Sequence, residues 1–213
     1  MVNWAAAVGL AVATSGAESR PASPAGWPPG VAPRARHTMK EPAKQPSPSP
    51  TPKTEVATLA GGCFWGMEEI LRQLSGVVET KAGYTGGTPA NPAYPQVRTG
   101  RTGHAEAVQV VFDPARISYE QFLGHFFRMH DPTTLNRQGN DVGTQYRSSI
   151  FYHNEAQRLT AERVKERVNQ SGKWKKPVVT EIVPAREFYP AEEYHQKYLQ
   201  KHPGGYTCHF LRE

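Results

Sequence analysis

Residues 55–76 read Glu55-Val56-Ala57-Thr58-Leu59-Ala60-Gly61-Gly62-Cys63-Phe64-Trp65-Gly66-Met67-Glu68-Glu69-Ile70-Leu71-Arg72-Gln73-Leu74-Ser75-Gly76. The apolar run from Glu55 to Ala60 predicts a strand. Phe64, Met67, Leu71 and Leu74 then recur at helical spacing, and Gly76 stops the pattern. Glu68 and Glu69 fall in the first turn, where carboxylates complement the macrodipole. A helix over Cys63 to Leu74 therefore opens on the cysteine. At such a position the unpaired amides and the positive dipole end stabilise a thiolate, lowering a thiol pKa from its free value of about 8.5. The neighbouring glycines let backbone and substrate approach the sulfur. A lone cysteine is more often a small buried hydrophobe. Phe64 and Trp65 weigh against that here, because they place an aromatic wall beside the sulfur.

Reading onward, Val77 to Tyr84 is a second strand and completes a βαβ unit. A Gly/Pro/Asn-rich loop covers Thr85 to Pro95, and the alternating stretch His104 to Phe112 is a strand ended by Asp113-Pro114. Ser118 caps a helix with Phe122, His125, Phe126 and Met129 on one face, closed by Asp131-Pro132. A polar loop, Asn136 to Gln145, leads into a strand from Tyr146 to Tyr152. Asn154 caps a charged helix ending near Val168. Val178 to Val183 is expected to be the last strand and Ala191 to Lys201 the last helix, before Pro203-Gly204-Gly205 opens a mobile tail. Strands and helices alternating in two βαβ-like units imply an α/β (α+β) two-layer sandwich, a mixed sheet with packed helices, ferredoxin-like in arrangement.

The chain has 213 residues, enough for one domain with a proper core. Residues 1–55 hold ten of the 19 prolines and few bulky apolar residues, so this stretch cannot bury enough surface to offset its ordering entropy. Within it Ala5 to Ala13 is apolar and Ser15-Gly16-Ala17 fits a small-x-small cleavage site. The expected organisation is a signal peptide over residues 1–17, a disordered Pro-rich linker over 18–55 and a catalytic domain over 56–213. The signal reading places the protein outside the cytoplasm, periplasmic or secreted. A disordered Ala-rich leader is the alternative, since no Lys or Arg precedes the apolar run. That run is far short of the roughly 20 residues needed to span a bilayer, so no stable membrane insertion is expected.

The net charge of +6 is split evenly between the first 55 residues and the rest, which makes a nucleic-acid partner an unattractive reading. Two cysteines are too few for a disulfide scaffold, and neither a zinc-spaced Cys/His cluster nor a nucleotide-binding glycine motif is present. The chemistry therefore needs no cofactor or metal. A carboxylic acid that faced a pocket from the strand of Glu106 would be desolvated among Ala105, Ala107 and Val108 and held protonated near neutral pH. An outward-facing Glu106 is the alternative. The run Gln138 to Ser148, dense in turn formers and amides, reads as backbone shaped around something.

Five stretches together resemble one family: Gly-Cys-Phe-Trp-Gly at 62–66, Gly-Tyr-Thr-Gly-Gly at 83–87, Asn-Pro-x-Tyr at 91–94, Gly-His-Ala-Glu-Ala-Val at 103–108 and Gln-Gly-Asn-Asp-x-Gly-Thr-Gln-Tyr-Arg-Ser at 138–148. The family is peptide methionine sulfoxide reductase A, and the likeness covers nearly all of 56–213. It implies thiol-dependent reduction of methionine S-sulfoxide, free or in proteins. By motif position it makes Cys63 the nucleophile, Phe64 and Trp65 the wall for the substrate's S-methyl group, and Glu106 the proton donor. Tyr94 and Tyr146 would hydrogen-bond the sulfoxide oxygen, and Asp141 would organise the site through its loop. Many members of the family carry two recycling cysteines in the tail, whereas this chain has only Cys208. Cys208 is then expected to resolve the sulfenic acid of Cys63 to a disulfide that a thioredoxin-type partner reduces, with the enzyme working as a monomer. Two other classes stay open on the sequence: an acyl-transfer enzyme pairing Cys63 with His104, and a binding module stapled by a structural Cys63–Cys208 disulfide.

Overall fold

The computed structural model describes residues 53–213. The signal peptide and nearly all of the Pro-rich linker expected from the sequence lie outside the described residues. In chain order the elements are β1 (Glu55–Gly61), α1 (Phe64–Arg72), β2 (Val77–Thr85), α2 (Tyr94–Val97), β3 (Ala105–Phe112), α3 (Tyr119–Met129), β4 (Arg137–Gln138), β5 (Asp141–Val142), β6 (Ser148–Tyr152), α4 (Glu155–Gln170), β7 (Glu181–Pro184), β8 (Phe188–Pro190) and α5 (Tyr198–Lys201).

Six strands form one sheet in the order β7-β6-β1-β3-β2-β8, antiparallel except for the parallel pair β6 and β7. The crossover β1-α1-β2 leaves a gap that β3 fills, and the crossover β3-α3-β6 leaves one that β1 fills. Each βαβ unit thus supplies the central strand of the other. Leu59, Ala82, Val108, Val110, Phe112 and Ile150 meet Phe64, Met67, Leu71, Phe122, Phe126 and Val164 in one core, which buries the apolar faces of α1, α3 and α4. Ala60, Ala105, Ala107 and Phe151 turn the other way and form a smaller cluster with Val183 and Phe188. The expected mixed α/β architecture with helices packed on a sheet is what the chain adopts.

Local chemistry accounts for the helix starts. Ser118 accepts the Gln121 amide at 3.2 Å while the Gln121 side chain takes the Ser118 amide at 2.9 Å, a reciprocal cap. Asn154 accepts the Gln157 amide at 2.9 Å.

The C-terminal third departs from expectation. The stretch from Val178 enters a strand only at Glu181, because the Val178 and Val179 amides are taken by Asn169 Oδ1 and Pro132 O. An unexpected strand, β8, pairs with β2 through Phe188, Tyr189 and Pro190. The helix expected over Ala191 to Lys201 is instead a 3-10 turn at Glu193–His195 and one helical turn, α5. Its pattern is broken by Gln196, whose side-chain amide accepts the Ala82 N–H at 2.9 Å and donates to Ala82 O at 2.9 Å and Ala191 O at 2.8 Å. A side chain paired to a sheet edge in this way overrides helix propensity.

Candidate active site

Cys63 lies between β1 and α1, at the N-cap position of the helix, and is 6% exposed. Phe64 and Trp65 occupy the first turn of α1. Glu106 shares the helix-facing side of β3 with Val108, Val110 and Phe112, which decides against the outward-facing alternative. Its Oε2 accepts the Phe64 amide at 3.2 Å, so the acid sits under the open end of α1 beside the cysteine. Tyr94 opens α2, Asp141 lies on β5 and Tyr146 ends the 3-10 turn at Thr144–Tyr146. All of them, with Tyr206 from the tail, line a single cavity of about 180 Å³. Every pocket residue singled out in the sequence is thereby brought together, and Tyr206 is the one that was missed. Only its place two residues before Cys208 pointed to it.

The aromatic wall is held from behind. Trp65 Nε1 donates to His195 Nδ1 at 3.0 Å, and the indole stacks on Tyr198 with centroids 3.8 Å apart and planes 12° from parallel. The ring of His195 lies 5.0 Å from Phe64 and 4.5 Å from Tyr94. Glu192 accepts the Tyr94 amide and the Tyr84 hydroxyl, each at 2.9 Å, and so ties α2 to β2. These supports come from the stretch that was expected to be one helix, which is why helical spacing did not reveal them.

Electrostatics corrects one expectation and supports another. Burial pushes the Cys63 thiol well above the usual thiol range, and the neighbouring Glu106 adds to the rise; the Trp65 amide at the helix end acts in the opposite direction but does not win. Cys63 is thus a protonated thiol in the resting site, not the thiolate expected from a helix N-terminus. Glu106, buried to 1% exposure, is pushed up to about 8 by desolvation, with the Phe64 amide opposing and Asp141 reinforcing. The resting cavity therefore holds one proton on sulfur and one on the acid at neutral pH.

Both cysteines are free thiols. Burial and the carboxylate of Asp141 push the Cys208 thiol up to about 12, and the Cys63 amide opposes them, which places Cys208 against the nucleophile. Tyr206 donates to Asp141 Oδ2 at 3.0 Å, His209 Nε2 donates to Gly61 O at 2.8 Å, and the Arg212 amide donates to Arg128 O at 3.0 Å, so contacts flank Cys208 on both sides. Two glycines make room for this. A Cβ on Gly62, at φ 112°, would come within 2.7 Å of Gln138 Cβ, and one on Gly66 would overlap Thr207 and His209. Gly62 thus gives room to the polar loop and Gly66 to the tail. His104, the partner required for an acyl-transfer dyad, instead bonds the Gly87 amide and Pro89 O, and it does not line the cavity. Among the described residues no group of three or more His, Cys, Asp or Glu side chains is placed to hold a metal ion.

Fold and site define a thiol enzyme with a buried acid, built on a mixed α/β sheet. Comparison with known proteins gives the same answer. A family model described as peptide methionine sulfoxide reductase matches residues 55–213. A relative from Methanoculleus marisnigri, peptide methionine sulfoxide reductase MsrA, is 57% identical over 71% of this chain and 92% of its own length. Mxr1 from Saccharomyces cerevisiae in its reduced form superposes with a TM-score of 0.71 at 43% identity, over 76% of this chain and 93% of that one. Mxr1 in complex with Trx2 matches at a TM-score of 0.53 and 31% identity, over 83% of this chain and 97% of that one. This chain belongs to the peptide methionine sulfoxide reductase family, as the five motifs indicated.

Proposed function

We infer that the chain reduces methionine S-sulfoxide, free or in proteins, to methionine, and that it draws its electrons from a thioredoxin-type dithiol. The observation that carries the mechanism is the cavity itself, in which a thiol, a protonated carboxyl and three tyrosines meet an aromatic wall. The sulfoxide's methyl group packs on Phe64 and Trp65, and its oxygen takes hydrogen bonds from Glu106, Tyr94 and Tyr146. A chiral centre gripped by an apolar wall on one side and fixed donors on the other fits one epimer and leaves the mirror form with its oxygen against the rings.

Glu106 gives its proton to the sulfoxide oxygen as the Cys63 sulfur attacks, and the thiol's proton returns to the carboxylate. Methionine leaves as the oxygen passes from its sulfur to the Cys63 sulfur, so the sulfoxide S–O bond breaks while the S–O bond of a sulfenic acid forms, and Glu106 ends as it began. The Cys208 thiol then displaces water from the sulfenic acid to form the Cys63–Cys208 disulfide, which a dithiol reduces by exchange. Asp141 serves this sequence by orienting Tyr206 and the Cys208 thiol.

The interlocked order of β6, β1, β3 and β2 supports describing the domain as a two-layer, ferredoxin-like sandwich. Export as a monomer also belongs to this reading, on the leader's apolar run and small-x-small site; mature protein starting near Glu18 is the check on cleavage. The decisive test of activity is reduction of the S and R epimers of methionine sulfoxide with a dithiol. Turnover of S alone supports the assignment, and turnover of R alone removes it.

A further inference from the structure

Tyr194 is 55% exposed, yet its backbone is fixed on both sides. It sits in the 3-10 turn Glu193–His195, between Glu192, which accepts the Tyr94 amide and the Tyr84 hydroxyl, and Gln196, which is paired to Ala82. The turn sends neighbouring side chains in different directions. His195 goes inward, while Tyr194 stays outside with its ring centroid 4.2 Å from that of His195. The His195 ring lies 4.5 Å from Tyr94 and accepts the Trp65 indole N–H. Lone exposed apolar side chains are ordinary on a protein surface and carry no meaning by themselves. Tyr194 differs because a single imidazole separates it from two residues that line the cavity, so it continues their aromatic wall onto the surface.

The cavity takes one side chain. Its volume of about 180 Å³ is below the roughly 300–1,000 Å³ of pockets that enclose a drug-sized ligand. Only a short thioether arm joins the reacting sulfur to its α-carbon, so the backbone of a protein substrate stays at the mouth. Its next residue starts about 3.8 Å further along and crosses the rim.

We propose that Tyr194 is a specificity-determining contact for protein substrates: it forms a surface subsite for the residue next to methionine sulfoxide and favours an aromatic or large aliphatic side chain there. This rests on the reductase reading above and adds which oxidised methionines the site prefers. A tyrosine on a rigid turn offers a broad apolar face with few side-chain torsions to freeze, and ring pairs stabilise a contact beyond the area they bury. The charge beside it is cancelled, since Glu193 pairs with Lys201 at 3.0 Å, and recognition falls to the ring. Free methionine sulfoxide has no neighbouring residue and does not reach Tyr194.

The test is steady-state reduction, with dithiothreitol, of the S-sulfoxide forms of free methionine, acetyl-Gly-Met-Gly-amide, acetyl-Phe-Met-Gly-amide and acetyl-Gly-Met-Phe-amide. Wild type should show a KM about fivefold lower for at least one Phe peptide than for the Gly peptide. A preference in one order alone supports the proposal and fixes the direction in which the substrate chain crosses the site. Tyr194→Ala should abolish the preference while KM and kcat for free methionine sulfoxide stay within about twofold of wild type. Tyr194→Phe should keep it, because the ring makes the contact, and so should the control Leu159→Ala on α4. Equal KM for the three peptides in wild type overturns the proposal without any variant. So does a Phe preference that survives in Tyr194→Ala, or a KM that rises in that variant as much for free methionine sulfoxide as for the Phe peptide, which would make Tyr194 a prop for His195. Absence of wild-type turnover on every S-sulfoxide would instead remove the reductase reading itself.

Discussion

Lys197 donates its backbone amide to Glu68 Oε2 at 2.7 Å while holding a left-handed conformation, φ 51°. Glu68 is buried on α1, and its other oxygen accepts the Thr80 hydroxyl from β2 at 3.0 Å. One carboxyl group thus joins the helix of the nucleophile, the sheet and the segment that places Tyr198 against Trp65. Glu68→Ala leaves the buried Thr80 hydroxyl and the part-buried Lys197 amide unpaired and should lower unfolding stability by about 1–3 kcal/mol. It should also raise KM for methionine sulfoxide more than it lowers kcat, because Trp65 loses its backing while Cys63 and Glu106 keep theirs. Denaturant unfolding and steady-state kinetics of the one variant check both expectations.

The strain at Lys197 predicts the opposite sign for a neighbouring change. Its side chain is exposed, and a left-handed backbone costs a non-glycine residue about 1–2 kcal/mol. Lys197→Gly should therefore raise the unfolding midpoint slightly and leave kcat and KM as they are. A lower midpoint would mean that the side chain or the chain's stiffness matters more than the backbone strain.

Glu106→Gln should separate activity from stability. The acid's value of about 8 in the fold lies above the ordinary 4.5, so folding favours its protonated form. The stability tied to it is fully present below about pH 4.5 and is lost as pH climbs to about 8, by an amount on the order of a few kcal/mol. Glutamine keeps an acceptor for the Phe64 amide and does not ionise. The variant should match wild type in thermal stability near pH 5 and exceed it near pH 8, while the chemical step falls about a hundredfold or more. Wild-type turnover should in turn decline above about pH 8 as the donor loses its proton. Melting curves that run parallel from pH 5 to 8 would count against a neutral Glu106.

These contrasts show what was legible in the sequence. β1, α1, β2, β3, α3 and α4 announce themselves because each has a long apolar period or a side-chain cap, as at Ser118 and Asn154. The five motifs are local in sequence, and they supplied the whole of the predicted pocket. What stayed hidden is tertiary. β8 is three residues ending in proline, and it is a strand only because the edge of β2 is there to pair with it. Gln196 and Lys197 break a stretch of good helix formers through bonds to Ala82 and Glu68, residues more than a hundred positions earlier. The protonation of Cys63 was misread for a related reason. A helix N-terminus is visible in sequence, but the depth of the cavity that outweighs it is not.

That correction yields a prediction about Cys63. In a Cys208→Ser background only Cys63 can be alkylated, and its rate should keep rising with pH beyond the ordinary thiol value of 9.0. An inflection at or below pH 7 would restore the picture of a sulfur activated by the helix end alone. Cys63→Ser should fold and show no sulfoxide reduction, because a hydroxyl in the same buried position is a far weaker nucleophile. Turnover by that variant would remove Cys63 from the chemistry.

Cys208→Ser tests the order of events. Attack by Cys63 precedes resolution, so the variant should reduce about one equivalent of methionine sulfoxide per enzyme in a rapid phase and then stall. No other cysteine exists in the 213 residues to take its place. With thioredoxin, turnover should be lost, because the exposed sulfur that receives the partner's thiolate is gone and Cys63 lies 6% exposed under Phe64 and Trp65. A small dithiol that fits the 180 Å³ cavity reaches the sulfenic acid directly and should sustain a reduced rate. Wild type stopped after one turnover without reductant should show no free thiol, whereas the variant should hold a sulfenic acid that a dimedone-type reagent traps. Thioredoxin-driven turnover at the wild-type rate in Cys208→Ser would show that the disulfide is not on the path, and a structural Cys63–Cys208 bridge would predict unfolding, rather than turnover, when reductant is added to wild type.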